Sequence, residues 1–527
     1  MIKALKRLML TFIASFTLLF SSCSTRSPNY KAYLDYSEIS LNFNGHKQLT
    51  VQSVFKDDIQ LTNYSIFGWT SDNSEVATVN KNGYVTAVNA GETFVSALIK
   101  VPDNSKNILA SCKVVVYEDP GKKYDYTLMF YMSGSTLEND PSIKKESRGS
   151  SSGIAVPGLI SQDIKEILSV DLPTTVKVII ETGGTTMWDL SATYLDGATS
   201  ISHEKLQRWE VADHKLKLLE TVNTNFMASE QSFEDFLKWG MLNYPAEQMG
   251  VIISGHGLGI AGCATDDNYT YYYEGQTYKH VLNAAEIVLA TKTALSEIGK
   301  DKLTWIGFDC CLMQSIDIAS VLADYYDYMV ASQEIEAGEG WRHDIYMQKL
   351  VENPKATPNA LLPAIVSSYK NDVHTTYCSH SEIAYETLSV LDLTKMNTFV
   401  SEFNSYVSKV GADYSQYEVA FKNAYNQFGN GTYGLVDFKS YIEEIGKIYT
   451  TVSSENLLNA LNTLVISNEY CESFSTALCG VNAFLPVCIS EEEKAQLTPE
   501  KEDYTGQYAT KFTTYQSMCL KNGDWVW

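Results

Sequence analysis

Positive charge is what this sequence has least of: 40 Lys and Arg stand against 63 Asp and Glu in 527 residues, a formal net charge of −23. Beyond the N-terminus no Lys/Arg-rich run interrupts that balance, so the surface repels a phosphate backbone and nucleic acid is not an expected partner. Metal-ligand spacing is also missing. The ten cysteines, at 23, 112, 263, 310, 311, 378, 471, 479, 488 and 519, include no CxxC pair, and no histidine stands near one at zinc-ligand spacing. No metal and no other cofactor is expected on these grounds, with a calcium requirement left open, and no disulfide framework is visible. The apolar run LMLTFIASFTLLF near the start is too short to span a bilayer. With Lys3, Lys6 and Arg7 before it, the run reads as a secretory signal over residues 1–22. Ser21 and Ser22 lead into Cys23, the pattern of a bacterial lipoprotein signal in which that cysteine becomes the lipid acceptor. The expected location is the bacterial cell envelope, periplasmic or surface-exposed, with a membrane partner through the lipid anchor.

What is present is ample apolar material. At 45% hydrophobic and 20% charged, the chain can bury more than one core, and its length suggests two or more domains. From 31 to 117 short β-rich pieces are broken by turn signals, which gives an all-β unit. Val76, Val79, Val85 and Val88 supply inward positions, and Asn82-Gly83 is read as the positive-φ pair of a tight hairpin. The segment SDNSEVATVNKNGYVTAVNAGET, following Trp69, resembles the bacterial immunoglobulin-like group 2 domain. Residues 118–125 form a polar Pro/Gly linker.

After the linker, strands alternate with helices, as in an α/β fold with a mostly parallel sheet covered on both faces. TLMFYM (127–132) and TVKVIIET (175–182) suit central strands, and Phe233, Phe236, Leu237 and Met241 form a helical stripe ended by Pro245. Between the two strands, 142–153 is a charged Gly/Ser-rich loop in which Lys144, Lys145 and Arg148 are candidate cleavage sites, as is Lys279 in a later Tyr-rich loop. The chemistry concentrates at two strand ends. MGVIISGHGLGIAG begins as a buried strand and ends at His256 between Gly255 and Gly257, while KLTWIGFDCCLMQS ends at Asp309, Cys310 and Cys311. With LNAAEIVLATKTALSEIG as the crossover helix, both ends emerge on one edge of the sheet. A histidine there can draw the proton from a thiol, and the glycines offer N–H groups to a developing oxyanion. Gly257, Gly259 and Gly262 also spell GxGxxG, but no amphipathic helix follows to hold a pyrophosphate.

These motifs resemble the clostripain-like cysteine peptidases of the caspase-type fold. SGHG (254–257), FDCCLM (308–313) and ASQEIEAGEGW (331–341) match that family's three ordered motifs, and the resemblance extends over roughly 125–527. It implies His256 as general base, Cys311 as nucleophile, the N–H groups of Gly257 and Cys311 as the oxyanion hole, and Asp309 and Glu339 in a pocket for Arg or Lys. Cys310 replaces the family's usual alanine and Ala337 its proline. Cys310 is read as a small buried apolar residue rather than as a second reactive thiol. The catalytic domain is placed at 126–384 and a helical C-terminal part at 385–527. The expected activity is a lipid-anchored endopeptidase acting on peptides with basic residues. The competing reading is an inactive surface-binding lipoprotein that uses the immunoglobulin-like module.

Overall fold

The structure, a computed structural model, describes residues 28–42, 45–102, 107–117, 124–139, 158–273, 276–376, 386–411, 414–425, 434–471, 474, 476–485, 520–521 and 524–525. Cys23, the 142–153 loop and most of the 118–125 linker lie outside them. The N-terminal unit is an all-β body. A four-stranded sheet orders Glu38–Asn42, Ile108–Tyr117, Gly91–Lys100 and Ser65–Ser71, with two three-stranded sheets beside it. Val85 and Ala87 are fully buried, whereas Val79 and Val88 are only half-buried. The hairpin differs from expectation. Only Gly83 has positive φ (85°), because Asn80 Oδ1 accepts from the N–H groups of Asn82 and Tyr84 and closes a longer turn than the two-residue form. The ring of Trp69 covers Gly83, where a Cβ would stand 2.6 Å from Cζ2.

The second body is built on a ten-stranded mixed sheet. Its centre is parallel throughout, in the order Val176–Gly183, Tyr124–Ser133, Ala246–Ser254, Leu303–Asp309 and Tyr326–Ala331. Tyr126, Leu128, Phe130 and Met132 point into one core, and Met129 and Tyr131 into the other, so a continuous apolar run serves both faces by strand alternation. Helix Glu230–Asn243 buries Phe233, Phe236, Leu237 and Met241 completely. The crossover helix Ala284–Ile298 starts on a capping box formed by Asn283 and Glu286 and stops at left-handed Gly299.

Two segments depart from the expected plan. The Tyr-rich stretch after His256 is an antiparallel hairpin, Cys263–Tyr273 with Gln276–Leu282, in which Lys279 pairs with Asp267 at 2.5 Å. The region after 385 holds the expected helices, among them Met396–Val410 and Phe438–Ile448, yet it also adds strands Thr387–Asp392 and Val465–Tyr470 to the sheet. The sheet therefore runs through the 384/385 boundary. The second of these strands, VISNEY, is a half-buried edge that carries no apolar alternation to reveal it.

Candidate active site

Ser254 pairs with Asp309 across two parallel strands, so both chains leave the sheet at the same edge. Gly255 then donates its N–H to the Asp309 carbonyl at 3.2 Å, tying the two loops together. Gly257 lies flat on the cysteine turn, and a Cβ there would stand 2.1 Å from the Cys311 carbonyl oxygen. Only glycine permits that approach. The adjacent thiols separate as a strand end requires. Cys310 is 1% exposed, with its Sγ against the Ile253 carbonyl at 3.4 Å, whereas Cys311 opens to a cleft that His256 also lines. The turn leaves through Leu312, which holds a left-handed φ of 68° and donates its N–H to Glu334.

His256 has an orienting partner that sequence reasoning did not find. Its Nε2 lies 2.7 Å from the hydroxyl of Thr136, on the short helix Ser135–Asn139 that follows the first sheet strand. No spacing links Thr136 to a histidine 120 positions on, so no signal in the sequence announces it. Burial lowers the imidazole below its usual range; the Lys279 ammonium lowers it further and Asp267 opposes. Cys311 Sγ accepts the Glu336 N–H at 3.3 Å. Burial nevertheless pushes the thiol up, and Asp309 and Glu334 add to that. Both shifts, the imidazole down and the thiol up, favour the neutral form of each group.

The cleft is acidic. Asp309 accepts from the Trp341 N–H at 3.2 and 3.4 Å, and Gly340, with φ of 62°, passes so close that a Cβ would lie 2.8 Å from its Oδ1. Asp163, from helix Leu159–Leu168, and Glu336 line the same wall as His256 and Cys311. Burial, then the neighbouring Asp309, pushes both carboxyls well above the usual range. Glu339 is half-buried and is not among the cleft-lining residues, although its charge is felt at Asp163. Of the residues picked from sequence, the cleft thus joins His256, Cys311 and Asp309, with Gly257 behind the cysteine. Asp163 and Glu336 were missed: an acid on a helix carries no local mark of a shared pocket, whereas Glu336 lies inside the ASQEIEAGEGW motif, which could have pointed to it.

An α/β sheet that delivers a histidine and a cysteine from neighbouring parallel strand ends into one cleft defines a cysteine peptidase of the caspase-like class. The chain belongs to the clostripain family, whose model matches residues 155–525, and a bacterial Ig-like domain (group 2) matches residues 34–109. Among solved structures it is similar to iotapain, a secreted C11 cysteine protease from Bacteroides thetaiotaomicron. Identity is 15% and TM-score 0.50, covering 74% of this chain and 99% of that one. An inactive zymogen C11 protease from Parabacteroides distasonis is 16% identical with a TM-score of 0.46, covering 74% and 97%. No curated protein matches the sequence.

Proposed function

We propose that this cysteine peptidase is an endopeptidase that cleaves after Arg or Lys, with Cys311 as nucleophile and His256 as general base. The acidic cleft carries the reading. Asp309, Asp163 and Glu336 line the cleft with the thiol, burial of Asp163 and Glu336 disfavours uncompensated negative charge there, and a substrate guanidinium or ammonium is the group that relieves it. Arg is favoured over Lys, because a planar guanidinium engages carboxylates with two donors. Glu339 extends the acidic field at the pocket margin.

In the reaction, Cys311 sulfur bonds to the scissile carbonyl carbon while its proton passes to His256. The N–H groups of Gly257 and Cys311 receive the oxyanion. The imidazolium then protonates the departing amine, and the neutral imidazole activates the water that hydrolyses the thioester. Residues 1–22 act as a signal peptide and Cys23 as the lipid acceptor, which places the enzyme in the cell envelope. The secreted state of iotapain accords with export.

Profiling on a mixed peptide library tests the assignment. Cleavage is expected after Arg and Lys, lost in Cys311→Ala and His256→Ala, and largely kept in Cys310→Ala. Asp309→Asn should lower turnover of basic substrates by roughly ten- to a hundredfold. Equal loss at 310 and 311, or an unchanged basic preference in Asp309→Asn, overturns the respective role. Metabolic lipid labelling of the parent and not of Cys23→Ala checks the anchor.

A further inference from the structure

The fold brings together three side chains that stand far apart in the sequence and that no spacing rule connects: Asp163, Asp309 and His343. One ligand atom from each lies within 4.8 Å of the others, and all three residues are buried. We propose that this cluster, whose Asp163 and Asp309 line the acidic cleft, is a binding site for a single zinc ion, and that zinc there excludes a basic substrate side chain.

Two side-chain atoms point to a missing ligand. Among the described residues, Asp163 Oδ1 and His343 Nε2 are buried without a hydrogen bond, in residues 3% and 0% exposed. His343 Nε2 does lie 3.3 Å from Asp309 Oδ2. That separation matches the edge of roughly 3.3 Å between donors held about 2.0–2.1 Å from a tetrahedral zinc. A modest side-chain adjustment of Asp163 completes three corners. The outer ring of contacts also suits a metal. His343 Nδ1 is 3.0 Å from the Tyr346 hydroxyl, which leaves Nε2 as the ligating nitrogen, and the Trp341 N–H steadies Asp309.

The donor set selects the ion. One imidazole and two carboxylates suit zinc, whereas calcium takes six to eight oxygens and magnesium a near-ideal octahedron. Because Asp163 and Asp309 face the cleft, the fourth corner opens toward solvent and substrate. The competition follows from sharing: a basic substrate side chain read by Asp309, as proposed above, needs the carboxylates that zinc would occupy. This second half rests on that substrate reading, and the metal site does not.

Calorimetry on full-length Cys311→Ala, which lacks the reactive thiol as an alternative zinc ligand, separates the two. One zinc should bind per chain, and calcium at the same concentration should not displace it. Adding His343→Gln should weaken zinc by at least about tenfold, with Asp163→Asn as a second variant if the first does not fold by circular dichroism. Saturating arginine amide should weaken zinc binding in the Cys311→Ala parent. Zinc binding that persists unchanged in folded His343→Gln and Asp163→Asn, or no binding at all, overturns the site. Binding that needs these residues but ignores arginine amide keeps the site and removes the competition together with the basic-residue reading.

Discussion

At the scale of single residues, the imidazole of His256 is set by three neighbours of different kinds. Thr136 holds the imidazole through Nε2 at 2.7 Å. Losing that hydroxyl in Thr136→Val should cut kcat/KM by about tenfold, the value of one hydrogen bond to a group that becomes charged, and Thr136→Ser should restore most of it. Burial first, and Lys279 second, lower the imidazole, while Asp267 raises it. A lowered value keeps the base neutral further into acid, so the acidic limb of kcat/KM against pH lies below the ordinary histidine range. Lys279→Met removes a lowering charge and frees the opposing Asp267. The limb should move to higher pH, and a limb that stays put would show that Lys279 is too well screened to matter. Cys310 and Cys311 illustrate the same scale: identical thiols one position apart become a core residue and a cleft residue because the chain turns immediately after the strand ends at Asp309.

At the scale of elements, the crossover helix Ala284–Ile298 fixes how the histidine and cysteine strands sit side by side. Its capping box is complete: Asn283 Oδ1 accepts the Glu286 N–H at 2.9 Å, and Glu286 accepts the Asn283 N–H at 3.0 Å. Asn283→Ala should cost about 1 kcal/mol of stability by denaturant titration, without changing kcat at a temperature where the variant is folded. The short Ser135–Asn139 helix has a different task. Buried Glu138 accepts from the Ser161 N–H, the Ser161 hydroxyl and the Asp189 N–H, and so clamps helix Leu159–Leu168 beside the turn that carries Thr136. One helix thereby holds His256 and, through the clamp, the Asp163 side of the cleft.

At the scale of the molecule, acid charge is stored inside as well as outside. Glu138, Glu166 and Glu234 are each pushed up to about 7, chiefly by desolvation. A carboxyl raised in the folded chain binds protons more readily folded than unfolded. Its contribution to stability is therefore present below the ordinary value of 4.5 and is lost as pH rises toward about 7. The net charge of −23 acts in the same direction, since self-repulsion grows as carboxyls ionise. Thermal unfolding should be higher by a few degrees near pH 5.5 than near pH 8. A midpoint that rises across that interval would refute the stored-proton account. The Ig-like body abuts the same crossover helix: buried Lys47 donates to the Ser296 hydroxyl at 2.7 Å, and its ammonium lies 4.2 Å from the Tyr36 ring centre.

Local chemistry in the chain was enough to place the central strands, the helix with Phe233, Phe236, Leu237 and Met241, and the two strand ends bearing His256 and Cys311. Periodicity and flanking glycines act over a few residues, and a βαβ connection brings parallel strand ends to one edge by handedness alone. Thr136, Asp163 and His343 were not legible. Each joins the site across a long stretch of chain, through a short helix or a loop whose composition says nothing of its neighbours. The edge strand VISNEY and the longer hairpin at Gly83 were misread for a related reason, since pairing partners and side-chain turns override local propensity. The sequence alone determined the central strands, the helices that cover them and where the reactive strand ends emerge. Only the tertiary structure decided which distant acids, hydroxyl and imidazole close around those ends, because that depends on the strand order of the sheet and on what covers its carboxyl edge.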